Sequence, residues 1–145
     1  MNLVLLGYRG CGKSTVGRIL ADRLGWCFVD TDDMVCHLLG AKTIAEAWQQ
    51  VGEPGWRKSE GVIVEQLIAA DEQVIALGGG TVTVDEARRA LIDSDRTLCI
   101  YLKCDAEELY RRTTSDSKFT ETRPNLAKLG GSVERVRETL AQREP

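Results

Sequence analysis

At 145 residues the chain has the length of one domain, enough to bury about two-thirds of its unfolded surface without disulfides or structural metals. Its 19 Lys and Arg against 22 Asp and Glu leave a net charge of −3, which argues against the basic footprint needed to wrap a nucleic acid. The five cysteines (Cys11, Cys27, Cys36, Cys99, Cys104) include no C-x-x-C pair, and no apolar run reaches membrane-spanning length, so the expectation is a reduced, cytoplasmic protein without a zinc site or a membrane segment.

The first element is an apolar strand, Asn2–Leu6. It runs into Gly7-Tyr8-Arg9-Gly10-Cys11-Gly12-Lys13-Ser14, which fits the phosphate-loop pattern G-x-x-x-x-G-K-[ST]. The glycines let backbone N–H groups turn toward phosphate oxygens, and a helix beginning near Lys13 adds its positive end. Lys13 can reach the outer phosphates of a nucleoside triphosphate, and the Ser14 hydroxyl can ligate magnesium. A chance match in a glycine-rich turn would lack these flanks. The helix is expected to end at Gly25 and to bury Val16, Ile19, Leu20 and Leu24. Further strands are predicted at Cys27–Asp30, Val74–Leu77 and Thr97–Lys103, alternating with helical stretches. That alternation predicts an α/β protein of three layers, α/β/α, with helices on both faces of a parallel sheet. Helix starts are marked by Thr43 with Glu46, Thr83 with Glu86 and Asp105 with Glu108, and Pro54 suits the first turn of a helix. His37, in the helical stretch Met34–Leu39, has no second ligand at metal spacing and reads as structural. Residues 113–131 are polar and carry Lys118, Arg123 and Lys128. So long a loop is expected to be a lid, which could exclude water and bring positive charge to a transferring group; a plain solvated loop is the alternative.

In open parallel sheets, ligands collect at the carboxyl ends of the strands. Three polar clusters fall there: the phosphate loop, Asp30-Thr31-Asp32-Asp33, and Gly78-Gly79-Gly80. The strand Val74–Leu77 ends without an acid, so the magnesium carboxylate is sought at Asp30, acting through bound water. Asp32 could hydrogen-bond a substrate hydroxyl and accept its proton, while Asp33 and Thr31 fit helix N-capping. The triple glycine offers backbone N–H groups and close approach to a ligand; a flexible turn would not require its entropic cost. Cys11 reads as a small loop residue, although a thiol beside Lys13 at a helix N-terminus gains thiolate character. Arg57 and Glu60 admit two readings, a surface pair or a guanidinium oriented to grip a carboxylate through two parallel bonds. Their spacing does not choose between them.

Taken in order, Gly7-Tyr8-Arg9-Gly10-Cys11-Gly12-Lys13-Ser14-Thr15, Asp30-Thr31-Asp32, Gly52-Glu53-Pro54-Gly55-Trp56-Arg57-Lys58-Ser59-Glu60, Leu77-Gly78-Gly79-Gly80 and Thr122-Arg123-Pro124 resemble the shikimate kinase family over essentially the whole chain. The resemblance implies a P-loop NTPase fold of the nucleoside-monophosphate-kinase-like type. It also implies transfer of the γ-phosphoryl group of ATP to a hydroxyl of shikimate, giving shikimate 3-phosphate and ADP in aromatic amino acid (chorismate) biosynthesis. By the same resemblance, ATP is held by Gly10, Cys11, Gly12, Lys13, Ser14, Thr15, Arg112 and Arg123, with Arg112 stacked on adenine. Mg2+ falls to Ser14 and Asp30. Shikimate falls to Asp32, Trp56, Arg57, Glu60, Gly78, Gly79, Gly80 and Arg143, with Arg57 and Arg143 on its carboxylate and Glu60 bracing Arg57. Lys13, Asp32 and Arg123 would carry the catalysis. Trp56 stands where the family usually has Phe.

The family continues past its Arg-Glu-Pro motif with a strand, an adenine-contacting loop and a closing helix, whereas this chain stops at Pro145. The expectation is therefore a monomer with an exposed sheet edge through which it can self-associate. Expected partners are ATP and shikimate, with neither nucleic acid nor membrane. Two other readings stand beside this one. A gluconate-kinase-like enzyme also takes a hydroxylated acid, though Asp30-Thr31-Asp32 together with the triple glycine favours shikimate. A non-catalytic nucleotide- or metabolite-binding module follows if the shortened C-terminus abolishes turnover.

Overall fold

The computed structural model describes residues 1–115 and 132–143, the last of these by its backbone alone. In chain order the elements are β1 (Asn2–Leu6), α1 (Lys13–Leu24), β2 (Cys27–Asp30), α2 (Thr31–Leu38), α3 (Ile44–Ile68), β3 (Gln73–Ala76), a 3₁₀ turn (Thr81–Thr83), α4 (Asp85–Asp93), β4 (Thr97–Tyr101), α5 (Ala106–Ser115) and α6 (Val133–Arg143). The four expected strands are all present. The third begins one residue earlier than expected and ends one earlier, and the fourth stops at Tyr101 rather than Lys103.

The strands pair in parallel in the order β2-β3-β1-β4. Alternate residues of each inner strand face opposite layers, as the two-residue period of a strand requires. Val4 and Ile75 join a core with Val35, Trp56, Ile63, Val64 and Leu91 from α2, α3 and α4. Leu5 and Val74 instead join Ala21, Leu20 and Phe28 on the α1 side. Both faces are thus covered by helices, the three-layer α/β/α arrangement expected from the alternation of elements.

The start of the sheet is knitted by Asn2, which is fully buried. Its side-chain amide donates to the Ala70 carbonyl at 2.8 Å and its side-chain oxygen accepts from the Gln73 N–H at 3.1 Å. Its backbone N–H donates to the Arg96 carbonyl at 2.7 Å. One buried polar residue thereby aligns the N-terminal ends of β1, β3 and β4, and both polar atoms of its buried side chain are paired.

Three local expectations are corrected. Helix α1 does end on Gly25, at φ 68°, but its buried face is Lys13, Gly17 and Ala21, while Val16, Ile19 and Leu24 are exposed. The reason is close approach: a Cβ on Gly17 would stand 2.5 Å from the Phe28 ring and 3.3 Å from Leu5 Cδ1, so small residues are needed where the helix lies on the sheet. Thr83 does not cap α4, because its hydroxyl donates to the Gly80 carbonyl at 2.7 Å and the helix begins after Val84 without a side-chain cap. Neither Thr31 nor Asp33 caps α2; Asp30 does, accepting from the Asp32 N–H at 3.1 Å.

The capping expected at Thr43 holds. Thr43 Oγ1 accepts from the Glu46 N–H at 3.1 Å, and Glu46 reaches back to the Lys42 N–H at 2.7 Å. Within α3, Gly52 breaks the helical path at φ 66°, ψ −179°, and Pro54 falls in the first turn after the break, where its missing N–H leaves no bond unmade. His37 lies exposed in the last turn of α2. Among the described residues there is no cluster of metal-ligating side chains, and no helix is long and apolar enough to cross a membrane.

Candidate functional site

Strand order builds the site. Because β3 lies between β1 and β2, Leu5 pairs with Ala76 and Ala76 with Asp30, so the carboxyl ends of the three strands are level. The residues that follow, the phosphate loop, Gly78 and Thr31, are thereby brought side by side where the strand order reverses.

The loop between β1 and α1 takes the conformation that its glycines allow. Gly12 forms the N-cap of α1 at φ 99°, a left-handed backbone that disfavours any side chain. Lys13 follows with its side chain turned back over the loop, where Nζ donates to the Gly7 carbonyl at 2.8 Å and the Tyr8 carbonyl at 3.0 Å. It also stands 3.8 Å from Cys11 Sγ. Ser14 Oγ donates to Asp30 Oδ2 at 2.8 Å. Asp30 thus uses one oxygen to begin α2 and the other to hold Ser14.

A cavity of about 450 Å³ gathers Gly10, Gly12, Lys13, Ser14, Thr15, Asp30, Asp32, Gly79 and Arg112, with Arg9 and Leu77 beside them. Arg112 reaches it from α5, donating to the Gly10 carbonyl at 3.2 Å and to Glu108 at 2.6 Å. Glu108 also takes two bonds from Arg111. The Arg111 guanidinium, with that of Arg112, lowers the Glu108 carboxyl to about 2, so this tether is ionised throughout the neutral range.

Of the remaining expected acceptor residues, Arg57 and Glu60 form an adjoining cluster beyond the triple glycine. Glu60, only 1% exposed, accepts from Arg57 Nη1 at 2.7 Å, and Arg57 also lies 3.5 Å from Glu53. Arg57 lines a shallow cleft of about 520 Å³ with Glu53, Pro54, Thr83 and Asp85, rather than the phosphate-loop cavity. Gly78 and Gly80 join the two regions by having no side chain. A Cβ on Gly78 would lie 2.5 Å from Asp32 Oδ1 and 2.9 Å from Glu60 Oε1, and one on Gly80 would strike the Arg57 guanidinium. Trp56 is packed in the core, with its ring 6.4 Å from that of Trp48. Arg143 closes α6 with its side chain outside the described residues, as are Arg123 and the segment 116–131 of the expected lid. Residues 113–115 of that lid belong to α5.

Arg9 and Thr81 were not singled out from the sequence, and Thr31 was read there only as a helix cap. Arg9 lines the nucleotide-sized cavity. Thr31 Oγ1 accepts from the Gly78 N–H at 2.9 Å, and Thr81 Oγ1 donates to Glu60 Oε1 at 2.7 Å. Nothing in the local pattern marks the two threonines, because their partners lie 47 and 21 residues away in sequence.

Residues 9–145 match the family model for shikimate kinase. The chain belongs to the shikimate kinase family. Among curated members it is 46% identical over 112 residues to shikimate kinase of Symbiobacterium thermophilum, covering 77% of this chain and 63% of that relative. It is 35% identical over 144 residues to shikimate kinase of Rhodopirellula baltica, covering 99% of this chain and 75% of the relative. Among solved members, shikimate kinase from Acinetobacter baumannii in complex with shikimate superposes with a TM-score of 0.86 at 35% identity, covering 99% of this chain and 76% of that one. The family member from Aquifex aeolicus superposes at 0.72 with 26% identity, covering 99% of this chain and 84% of that one. The chain therefore spans less than two thirds of the Symbiobacterium relative and between 75% and 84% of the other three members named. The P-loop NTPase fold expected from the sequence is the fold of these neighbours.

Proposed function

We propose that this chain transfers the γ-phosphoryl group of ATP to a hydroxyl of shikimate. The observation that carries the reading is the level placement of a phosphate loop, Asp30, Asp32 and Gly79 around one cavity, in a chain whose relatives are shikimate kinases. Phosphoryl transfer asks little covalent chemistry of the protein and much positioning and charge compensation. Lys13 stands over the loop with its ammonium on the Gly7 and Tyr8 carbonyls, from where it reaches the outer phosphates. Arg112, tethered to Glu108 and to the loop carbonyl of Gly10, offers a guanidinium plane to the adenine.

Ser14 Oγ and Asp30 Oδ2, 2.8 Å apart, are hard oxygen donors and fit Mg2+, which takes few protein ligands and keeps its waters. Bound there with ATP, the ion would offset charge on the phosphates. Asp32, 9% exposed, faces the same cavity from the first turn of α2 and would orient the attacking hydroxyl and accept its proton. Arg57, braced by Glu60, would take the shikimate carboxylate together with Arg143, and Arg123 would reach the phosphates. We assign the stretch that follows α5 within residues 113–131 as the lid of this kinase domain, and the five free thiols accord with a reducing cytoplasm.

The test is ADP release by this chain with ATP, magnesium and shikimate, against the same mixture without shikimate and against gluconate as acceptor. Release that depends on shikimate is expected. Gluconate-dependent release would overturn the acceptor, and shikimate binding without turnover would make this chain a binding module.

A further inference from the structure

A carboxylate that is 1% exposed, as Glu60 is, must have its oxygens satisfied inside the protein. One oxygen of Glu60 goes to Arg57 at 2.7 Å. The other accepts at 2.7 Å from the hydroxyl of Thr81, itself fully buried and the first residue after the triple glycine. Thr81 has a single hydroxyl proton, and it points at Glu60 Oε1. Thr81 is in turn fixed by the turn that it begins, where its N–H donates to the Gly78 carbonyl at 3.1 Å and its carbonyl accepts from Val84 at 3.0 Å. A path of bonds therefore runs from the glycine turn through Thr81 and Glu60 to the guanidinium of Arg57.

We propose that Thr81 is a positioning residue for the acceptor: its buried hydroxyl fixes the plane of the Glu60 carboxylate, and Glu60 fixes the Arg57 fork that receives the acceptor's carboxylate. A fork matches a carboxylate by two parallel bonds only in one orientation, so loosening its brace weakens the grip without touching the nucleotide. This inference rests on the assignment of shikimate as acceptor and of Arg57 to its carboxylate.

Two substitutions separate positioning from packing. Thr81→Val keeps the shape and loses the hydroxyl; Thr81→Ser keeps the hydroxyl and loses a methyl. Steady-state kinetics with each substrate varied, and calorimetric titration of shikimate, are read for both. Thr81→Val is expected to raise KM and Kd for shikimate about tenfold, the worth of one hydrogen bond to a charged group, while KM for ATP stays within about twofold. Thr81→Ser is expected to keep the wild-type shikimate affinity within about threefold. Should Thr81→Val not fold, Thr81→Ala and Thr81→Ser, which differ by the hydroxyl alone, give the same comparison. Unchanged shikimate affinity in Thr81→Val, an equal rise in both KM values, or a loss in Thr81→Ser as large as in Thr81→Val overturns the proposal alone. A wild-type chain that neither binds nor phosphorylates shikimate overturns the functional reading together with it.

Discussion

Gly78 shows how much of this site is made by an atom that is missing. Its would-be Cβ position lies within 3 Å of oxygens from Asp32, Thr81 and Glu60, so the two acids and the hydroxyl converge only because no side chain stands among them. Arg57 illustrates the opposite case, a group whose worth depends on its partner. Removing it with Arg57→Ala would strand the buried Glu60 carboxylate, a change that costs about 3–5 kcal/mol in stability by itself and would obscure any effect on binding. Arg57→Lys keeps the charge beside Glu60 and loses the fork. The variant is expected to melt close to wild type and to raise KM for shikimate about tenfold or more, with KM for ATP moved by less than about twofold. Equal damage to both constants in a two-substrate kinetic experiment would remove Arg57 from the acceptor site. The choice between a surface pair and a positioned guanidinium was open in the sequence because Arg57 and Glu60 stand three apart in either case. Burial excludes a plain surface pair, since Glu60 is inside while Arg57 is 26% exposed.

Among elements, α1 carries the clearest lesson. A helix that starts on a phosphate-loop motif and lies flat on a sheet needs small residues along the contact, and Gly17 and Ala21 supply them. Glycine inside a helix costs about 1 kcal/mol relative to alanine, which would make Gly17→Ala stabilising if propensity ruled. Here the added methyl meets the Phe28 ring at 2.5 Å and 3.0 Å, and overpacking of this kind costs about 1–3 kcal/mol. Packing wins: Gly17→Ala is expected to lower the urea midpoint at unchanged slope, and a raised midpoint would show that the ring yields freely. Periodicity alone misjudged this helix because it ranks positions by hydrophobicity, whereas the contact selects by the space between backbone and sheet. In α3 the signals were of another kind and reliable, because the Thr43 cap and the placement of Pro54 in a first helical turn are local, set by backbone groups within a few residues.

At the scale of the whole molecule, β4 pairs with β1 alone among the described residues, with Leu98 52% exposed and Cys99 also open to solvent. Beside it an apolar cavity of about 640 Å³ runs from Tyr8 and Leu77 past Leu91, Thr97 and Tyr101 to Leu140. A strand edge with unmet backbone donors and acceptors beside apolar surface invites pairing between copies. Sedimentation equilibrium of this chain is expected to show an apparent mass that rises with concentration. A single monomer mass over the whole range would show that this edge is protected.

The sequence by itself determined what depends on neighbours along the chain: the positions of the four strands, the phosphate loop between β1 and α1, the Thr43 cap, Pro54 in the first turn of a helix, and a set of motifs ordered specifically enough to reveal the family. Those features arise from periodicity, capping chemistry and glycine geometry, all of which act over a few residues. The tertiary structure alone decided the strand order, the buried face of α1, the part that Asp30 plays between Ser14 and Asp32, and the bonds of Thr31 and Thr81. Each of these depends on partners far away in sequence, and a strand buried on both faces carries no local sign of which strand lies beside it.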